Sequence, residues 1–270
     1  MQSQFKTNHI LFTLALFGAN ALEAAEWNQY HGANSDNKAQ ETLASAAWLN
    51  KASSQAWKTA TPLGFSYFSV SGGRAFTLVG RTDEDGLKQE FCLALDVKTG
   101  KEVWAAKLDR LDFGRGGGDS GASDNKGGDG PRSTPSVFEG RVYALDADFN
   151  LYCLEATTGK QLWKKSISKQ FGGKNIKWKN ASAPLIEGRF VIVGGGGSGQ
   201  SFLAFDKKTG GLAWKSGSET MTHATPIAAT IHGVRQVIFF CVSGLVSVDA
   251  TSGKELWRQK FPFAVSTAAA

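Results

Sequence analysis

Three polar side chains stand at similar places in the chain. Arg132, Asn180 and His223 each lie three or four residues before a proline that opens an apolar run. If those runs are equivalent strands of repeated units, the three side chains meet near one end of a common axis. Guanidinium, amide and imidazole groups that converge there could bind an anionic or hydroxylated ligand. The alternative is a solvated opening without a ligand, because such openings are polar in any case.

A lysine-rich segment is the second candidate for chemistry. Residues 160–179 contain seven lysines and no acidic residue, with aromatic residues between them. The pattern predicts contact with a protein or an acidic envelope polymer, such as acidic polysaccharide or lipid headgroups, rather than with nucleic acid. The alternative is an ordinary solvated loop, since the net charge is only +6. The residues assigned to this anionic-partner patch are Lys169, Lys174, Lys177, Trp178 and Lys179.

The cysteines carry no motif for metal or redox chemistry. The three cysteines are Cys92, Cys153 and Cys241, and none lies in a C-x-x-C pair. An odd number cannot pair completely. We therefore expect buried thiols that act as small apolar side chains, and the sequence predicts no metal site.

The first 25 residues differ from the rest of the chain. Lys6 and His9 precede an apolar run over residues 10–17, which small residues follow. This order predicts a cleavable signal peptide over residues 1–25 and a periplasmic or secreted protein. No cysteine follows the run to accept a lipid, and no other stretch is long enough to form a transmembrane segment.

A hairpin motif recurs four times and sets the architecture. An acidic residue, Thr or Ser, Gly and Trp recur with fixed spacing in residues 94–104, 153–163, 204–214 and 247–257. The acid can accept hydrogen bonds from turn amides, and the glycine supplies a positive φ. The glycines and tryptophans, to which we assign a structural docking role, are Gly100, Gly159, Gly210, Gly253, Trp104, Trp163, Trp214 and Trp257.

A second hairpin lies upstream of each copy of the motif. It turns at Gly73, Gly140, Gly188 or Gly233. Each unit therefore holds four short strands, and the distance between tryptophans suits a propeller blade of about 40–50 residues. The sequence predicts an all-β fold, a β-propeller of four-stranded antiparallel blades. The glycine-rich residues 194–201 lack the lysine of a phosphate-binding loop, so they are predicted to form a turn inside a blade.

The predicted domain organisation is an incomplete ring. An N-terminal region over residues 26–64 is predicted to include a ring-closing strand around Trp57, and residues 262–270 resemble the start of a truncated fifth blade. The chain is therefore expected to be a fragment of a longer protein, or to dimerise if it is naturally this short. The four blades are predicted at residues 65–108, 130–167, 178–217 and 219–261.

The repeated D-x-x-T-G-K-x-x-W hairpin resembles the tryptophan-docking motif of PQQ-like (pyrroloquinoline quinone-like) β-propellers. The resemblance covers residues 65–261 almost continuously, and residues 27–37 resemble the start of secreted members. The family includes quinoprotein alcohol dehydrogenases and the outer-membrane assembly lipoprotein. The resemblance implies that each tryptophan packs against the neighbouring blade beside its turn glycine.

Two functions follow from this resemblance. The favoured interpretation is an exported binding or assembly platform for protein or cell-envelope polymer. The alternative is a PQQ-dependent alcohol dehydrogenase, with the polyvinyl-alcohol-oxidising type as one form, that would use PQQ and calcium and complete its site with further blades. The adjacent cysteine pair common in those enzymes is absent. No cofactor is evident in the sequence, and no catalytic residue is assigned.

Overall fold

The computed structural model describes residues 26–39, 55–111, 130–176, 178–263 and 265–266. In this part of the chain, sixteen strands form four four-stranded antiparallel sheets, accompanied by one short helix. Each sheet uses four strands that are consecutive in the chain. The all-β fold with four-stranded blades is therefore confirmed. The predicted signal peptide, Lys177 and most of residues 262–270 lie outside the described residues.

Blades I and II come first in the chain. Blade I consists of β1 (Ser69–Ser71), β2 (Arg74–Thr82), β3 (Lys88–Asp96) and β4 (Glu102–Arg110). Blade II consists of β5 (Ser136–Phe138), β6 (Arg141–Leu145), β7 (Asn150–Glu155) and β8 (Gln161–Ser166). The helix α1 (Ile167–Phe171) follows β8 directly. Ser166 caps it by accepting a hydrogen bond from the Lys169 backbone, and Gly172 ends it with a positive φ.

Blades III and IV repeat the same order. Blade III consists of β9 (Leu185–Glu187), β10 (Phe190–Gly194), β11 (Phe202–Asp206) and β12 (Leu212–Ser216). Blade IV consists of β13 (Ile227–Ile231), β14 (Val234–Cys241), β15 (Gly244–Asp249) and β16 (Glu255–Lys260). All four sheets lie within or close to the predicted blade ranges.

The first strands of successive blades contact one another, so they are innermost and line a common axis. Because every sheet is an antiparallel meander, the inter-blade connections and the turns between second and third strands lie at one end of the blades. We call this end the loop face. The turns between first and second strands, and between third and fourth strands, lie at the opposite end, which we call the turn face.

Apolar clusters bind each blade to the next. Phe76 and Leu78 of blade I pack with Tyr152 and Leu154 of blade II. Corresponding clusters join blade II to blade III and blade III to blade IV, where the rings of Phe202 and Phe239 stack with centroids 4.0 Å apart. Burial between blades therefore provides the apolar area that a single four-stranded sheet cannot bury alone. Cys92, Cys153 and Cys241 are buried and free among these side chains.

Each repeated tryptophan that precedes another described blade lies over a glycine of that blade. Trp104 lies against Gly159, Trp163 against Gly210, and Trp214 against Gly253. Each glycine has a φ near +70°, and its close contact with the indole leaves no room for a Cβ. The turn acid beside the glycine bonds the turn: Asp206, for example, accepts from the backbone amides of Lys208 and Thr209.

Two of the four repeated tryptophans donate their indole N–H to a carbonyl of the neighbouring blade. Nε1 of Trp104 donates to Ala156 O at 3.0 Å, and Nε1 of Trp214 donates to Ala250 O at 3.2 Å. Trp57 makes the same pair of contacts with blade I, since it lies against Gly100 and donates to Val97 O at 2.8 Å. Residues around Trp57 thus occupy the place that an outer strand of a preceding blade would take, although residues 55–60 form no strand.

The N-terminal segment, residues 26–39, crosses the axis. Trp27 exchanges two backbone hydrogen bonds with Val70 of β1, and Asn28 O accepts from the Val137 backbone of β5. The segment then reaches the innermost strands of blades III and IV. It therefore pairs with the inner edges of the blades and fills part of the channel between them.

Candidate functional site

In the described part of the chain, the N-terminal segment (residues 26–39) lies between two cavities along the axis. The one on the loop-face side, here called the axial cavity, has a volume of about 340 Å³. The other, of about 180 Å³, lies towards the turn face against β9 and β13, and Ser35 lines both. The axial cavity is at the small end of the range for ligand sites. Its lining comprises Tyr30, His31, Ser35, Tyr67, Arg132, Ala181, His223, Ala224, Thr225, Pro226 and Ile227.

The axial cavity brings together two of the three predicted ligand-binding side chains. Arg132 reaches it from the connection before β5, and His223 from the connection before β13. The Arg132 guanidinium lies 4.9 Å from the Phe65 ring centroid and donates to Gly130 O at 3.1 Å. His223 contacts Trp178 edge to face, with ring centroids 6.2 Å apart. The Arg132 guanidinium and the His223 imidazole are thus each in contact with an aromatic ring.

Asn180 does not reach the axial cavity. Its side chain is buried and bonded to backbone: Nδ2 donates to three carbonyls, including Ser182 O at 3.1 Å, and Oδ1 accepts from the Ser182 amide. The neighbouring Ala181 lines the cavity instead. Asn180 therefore bonds the backbone of its own connection, and the structure brings Arg132 and His223, but not Asn180, to the axial cavity.

The cavity contains an aromatic group that sequence reasoning missed. Tyr30 and His31 come from the N-terminal segment and Tyr67 from the entry to blade I. The Tyr30 ring centroid lies 4.0 Å from that of His31 and 5.8 Å from that of Tyr67. Burial, and then the nearby Tyr67, raise the pKa of Tyr30. The W-x-x-Y-H order at residues 27–31 was visible, but nothing in it indicates that the segment enters the channel.

The lysines of the predicted anionic-partner patch do not form one surface. Lys179 is buried, and its Nζ lies 2.8 Å from Asp148 Oδ1. Lys169 lines a shallow cavity with Asp109 and Asp148, whereas Lys174 lines a separate cleft between blades II and III. Trp178 turns towards His223, and Lys177 lies outside the described residues. The helix and the turn that follows it spread these side chains over the loop face.

Two buried carboxyl groups lie where blade I meets blade II on the loop face. Glu90 Oε2 accepts from the Ala147 backbone amide at 3.0 Å, while its Oε1 is buried without a hydrogen-bond partner among the described residues. Burial, with the nearby charge of Asp146, raises the pKa of Glu90 well above its usual value. Burial raises the pKa of Asp146 to about 6, although bonds from Asn150 oppose the rise.

In the part of the chain that the structure describes, no group of three or more His, Cys, Asp or Glu side chains is arranged to hold a metal ion. No helix in the same part of the chain has the length and apolar character needed to cross a membrane.

Comparison with known proteins relates the fold to larger propellers. A family model described as outer membrane protein assembly factor BamB matches residues 89–269. Quinohemoprotein alcohol dehydrogenase from Comamonas testosteroni is similar in structure, with a TM-score of 0.61 and 16% identity over 90% of this chain and 42% of that chain. No match was found among curated proteins.

Two further solved structures are similar over most of the chain. Quinohemoprotein alcohol dehydrogenase ADHIIG from Pseudomonas putida HK5 gives a TM-score of 0.51 and 14% identity over 75% of this chain and 35% of that chain. BamB from Moraxella catarrhalis gives 0.48 and 16% over 73% of this chain and 51% of that chain. The chain thus spans about half the length, or less, of these structures.

Proposed function

Because the chain belongs to the β-propeller family of the outer membrane protein assembly factor BamB, we propose that it is an exported platform that binds protein or cell-envelope polymer. Export rests on the signal peptide predicted for residues 1–25. The repeated tryptophans act as docking residues that hold the blades together, and the loop face supplies the binding groups.

The observation that carries the proposal is the N-terminal segment across the axis. Among the described residues, Trp27 and Asn28 pair with the inner strands, and the segment lies between two small cavities along the axis. A large partner must therefore be contacted on the surface at the ends of the blades. The loop face carries the longer connections, the exposed Lys169 and Lys174, and the aromatic opening of the axial cavity.

The alternative function, a quinone-dependent alcohol dehydrogenase, requires a place for PQQ and calcium near the axis. Calcium prefers several oxygen ligands, with carboxylates among them. The described residues that line the axial cavity offer tyrosine, serine and threonine hydroxyls, an arginine and two histidines, and none of them is acidic. These residues do not fit a calcium-bound quinone. The similarity to the quinohemoprotein alcohol dehydrogenase, at 16% identity, is a similarity of fold.

The test is retention of the purified protein on envelope material from its producing cells. We expect retention that falls at least fivefold in a double variant with Lys169→Glu and Lys174→Glu, because both side chains are exposed on the loop face. The matched control is the double variant with Lys98→Glu and Lys208→Glu, which makes the same charge change in two exposed turns of the turn face.

Protease treatment of the envelope material separates the two partner classes. Loss of retention after treatment assigns a protein partner, and unchanged retention assigns a polymer. A platform on the loop face would be contradicted if untreated envelope material did not retain the protein, or if both double variants lost retention equally.

A further inference from the structure

A cleft of about 420 Å³ lies on the loop face between blades II and III. Its walls are the connection after α1 and the turn between β10 and β11, and the connection between blades III and IV closes one side. It is separate from the axial cavity, with which it shares no lining residue. Its lining comprises Phe149, Gly172, Lys174, Asn175, Ile176, Gly195, Gly196, Gly197, Ser198, Ser218, Glu219, Thr220 and Met221.

The glycine run in residues 194–201 packs closely against the floor and the opposite wall of this cleft. A Cβ on Gly195 would clash with the Phe149 ring, and one on Gly196 would clash with Gln200 O. A Cβ on Gly197 would lie 2.8 Å from Gly172 O, which is closer than real contacts allow. No side chain fits at these three glycines, so the run that sequence reasoning treated only as a turn also shapes a surface.

The cleft has an apolar floor and a hydroxyl rim. Phe149 and Met221 are 3% and 5% exposed and form the floor with part of Ile176. The hydroxyls of Ser198 and Ser218 lie 3.1 Å apart at the exposed rim. A sugar ring matches this arrangement, because its C–H face is apolar while its edge carries hydroxyl groups that exchange hydrogen bonds.

The charge of the cleft favours an anionic sugar. Lys174 is exposed and has no ion pair in the described part of the chain. The acidic residue of the lining, Glu219, is paired with Arg258 at 2.9 Å and also accepts from the Ser243 hydroxyl, so its charge is compensated. Arg258 is shared with Glu255, so these three side chains together add no positive charge. Lys174 is the cation of the lining, and a ligand carboxylate would be attracted to it.

We propose that this cleft binds a sugar residue that carries a carboxylate, of the uronic acid class. The ring would pack on Phe149 and Met221, the ring hydroxyls would bond to Ser198 and Ser218, and the carboxylate would contact Lys174. The inference rests on the proposed function, since it names the repeating unit of the polymer that the platform recognises. It adds a site that the family likeness does not indicate.

The test is calorimetric titration of the purified protein with oligogalacturonate and with its methyl ester, which has the same ring and no charge. Oligogalacturonate is expected to bind, and the ester about tenfold more weakly. Lys174→Met is expected to weaken oligogalacturonate binding about tenfold and leave ester binding unchanged. The control Lys208→Met, at an exposed turn on the turn face, is expected to bind as the unmodified protein does.

A filling variant tests the location independently of charge. Ser198→Trp places a large ring on the exposed rim, and it should remove binding of both ligands while leaving the melting temperature unchanged. Equal affinity for acid and ester, no binding of either, or unchanged binding by Ser198→Trp would overturn the assignment. Envelope retention without oligogalacturonate binding refutes the cleft alone, whereas binding without retention supports the cleft and refutes the platform.

Discussion

The junction between blades I and II and the junction between blades II and III both place a tryptophan over a turn glycine. Their hydrogen bonds differ. At the first, Trp104 Nε1 donates to Ala156 O, the carbonyl that follows the turn acid. At the second, the corresponding carbonyl, Lys207 O, accepts from the Tyr143 hydroxyl at 2.9 Å. Nε1 of Trp163 is left buried without a partner among the described residues.

One substitution in the repeat accounts for this difference. Tyr143 and Phe76 occupy the same place in their blades, since each pairs with the residue that lies opposite the tryptophan. Their rings lie at nearly the same distance from the indole, 6.0 and 5.8 Å between centroids. Where tyrosine replaces phenylalanine, the docking carbonyl accepts from the phenol hydroxyl and the indole N–H has no partner among the described residues. The repeated motif therefore determines the position of the indole but not its hydrogen bond.

The largest expected effect comes from removing an indole. Trp104→Ala should lower the free energy of unfolding by about 3–4 kcal/mol, because it leaves a void against Gly159 and removes the indole bond to Ala156 O, which keeps its bond from Arg74. Trp163→Ala should cost about 1 kcal/mol less, since no hydrogen bond is lost there. Urea denaturation measures both. Equal costs would mean that the indole bond contributes nothing to the junction.

The turn glycine that receives the indole should be nearly as sensitive. Gly159 has a φ of +73°, and an added Cβ would lie 2.7 Å from Trp104 Cε3, so Gly159→Ala should cost about 2–3 kcal/mol. The matched control is Gly140→Ala, where φ is +70° but nothing lies within 4 Å of the added Cβ. Backbone strain alone should cost about 1 kcal/mol there. Similar losses at both positions would show that close packing of the indole is unimportant.

Buried acids distinguish the two junctions in their response to pH. The position six residues before the turn acid is Glu90 in blade I and Phe149 in blade II. Because burial raises the pKa of Glu90, and that of Asp146 to about 6, the unfolded chain ionises these groups first as pH rises. Their contribution to stability is therefore present below about pH 4 and is lost as pH rises through the folded-state pKa values.

Glu90→Gln should flatten this pH dependence. At pH 7.5 it should raise the free energy of unfolding by on the order of 1–2 kcal/mol, because the amide oxygen can still accept from Ala147 and no carboxyl remains whose ionisation burial opposes. The exposed Glu84→Gln serves as the control. Thermal melts between pH 4.5 and 7.5 make the measurement. An unchanged slope in Glu90→Gln would show that this carboxyl does not carry the effect.

The smallest effect tests the competing donors directly. Trp104→Phe should cost about 1 kcal/mol more than Trp163→Phe, because only the first loses a hydrogen bond. Tyr143→Phe should release Lys207 O and allow Trp163 Nε1 to bond to it, so Trp163→Phe should become more costly in that background. A double-mutant cycle with no coupling between Tyr143 and Trp163 would contradict the competition.

Much of the fold follows from the sequence because its signals are local and repeated. Strand alternation, turn glycines and the spacing of tryptophans report the four-stranded blades directly, since each unit must meet the same packing demand. The helix at Ile167–Phe171 was not predicted. Its five residues follow a strand without a break, and a single turn leaves no periodic pattern to detect.

The candidate site was less predictable, because its parts come from segments distant in the chain. Arg132 and His223 could be placed together from the repeat, whereas Tyr30 and His31 required the path of a segment outside it. Asn180 was assigned to a ligand because its buried backbone partners could not be foreseen from its position. Lys179 was assigned to a surface for the same reason, since its pairing with Asp148 depends on the folded connection.

The most direct test of the account compares the two ends of the blades. Hydrogen–deuterium exchange of the purified protein would be measured alone and in the presence of the envelope fraction that retains it. We expect slower exchange on the loop face, in residues 172–176, 195–199 and 218–221, and no change in the turns around Gly100, Gly159 and Gly210 on the turn face. Slower exchange confined to the turn face, or no change at either end, would contradict a loop-face binding platform.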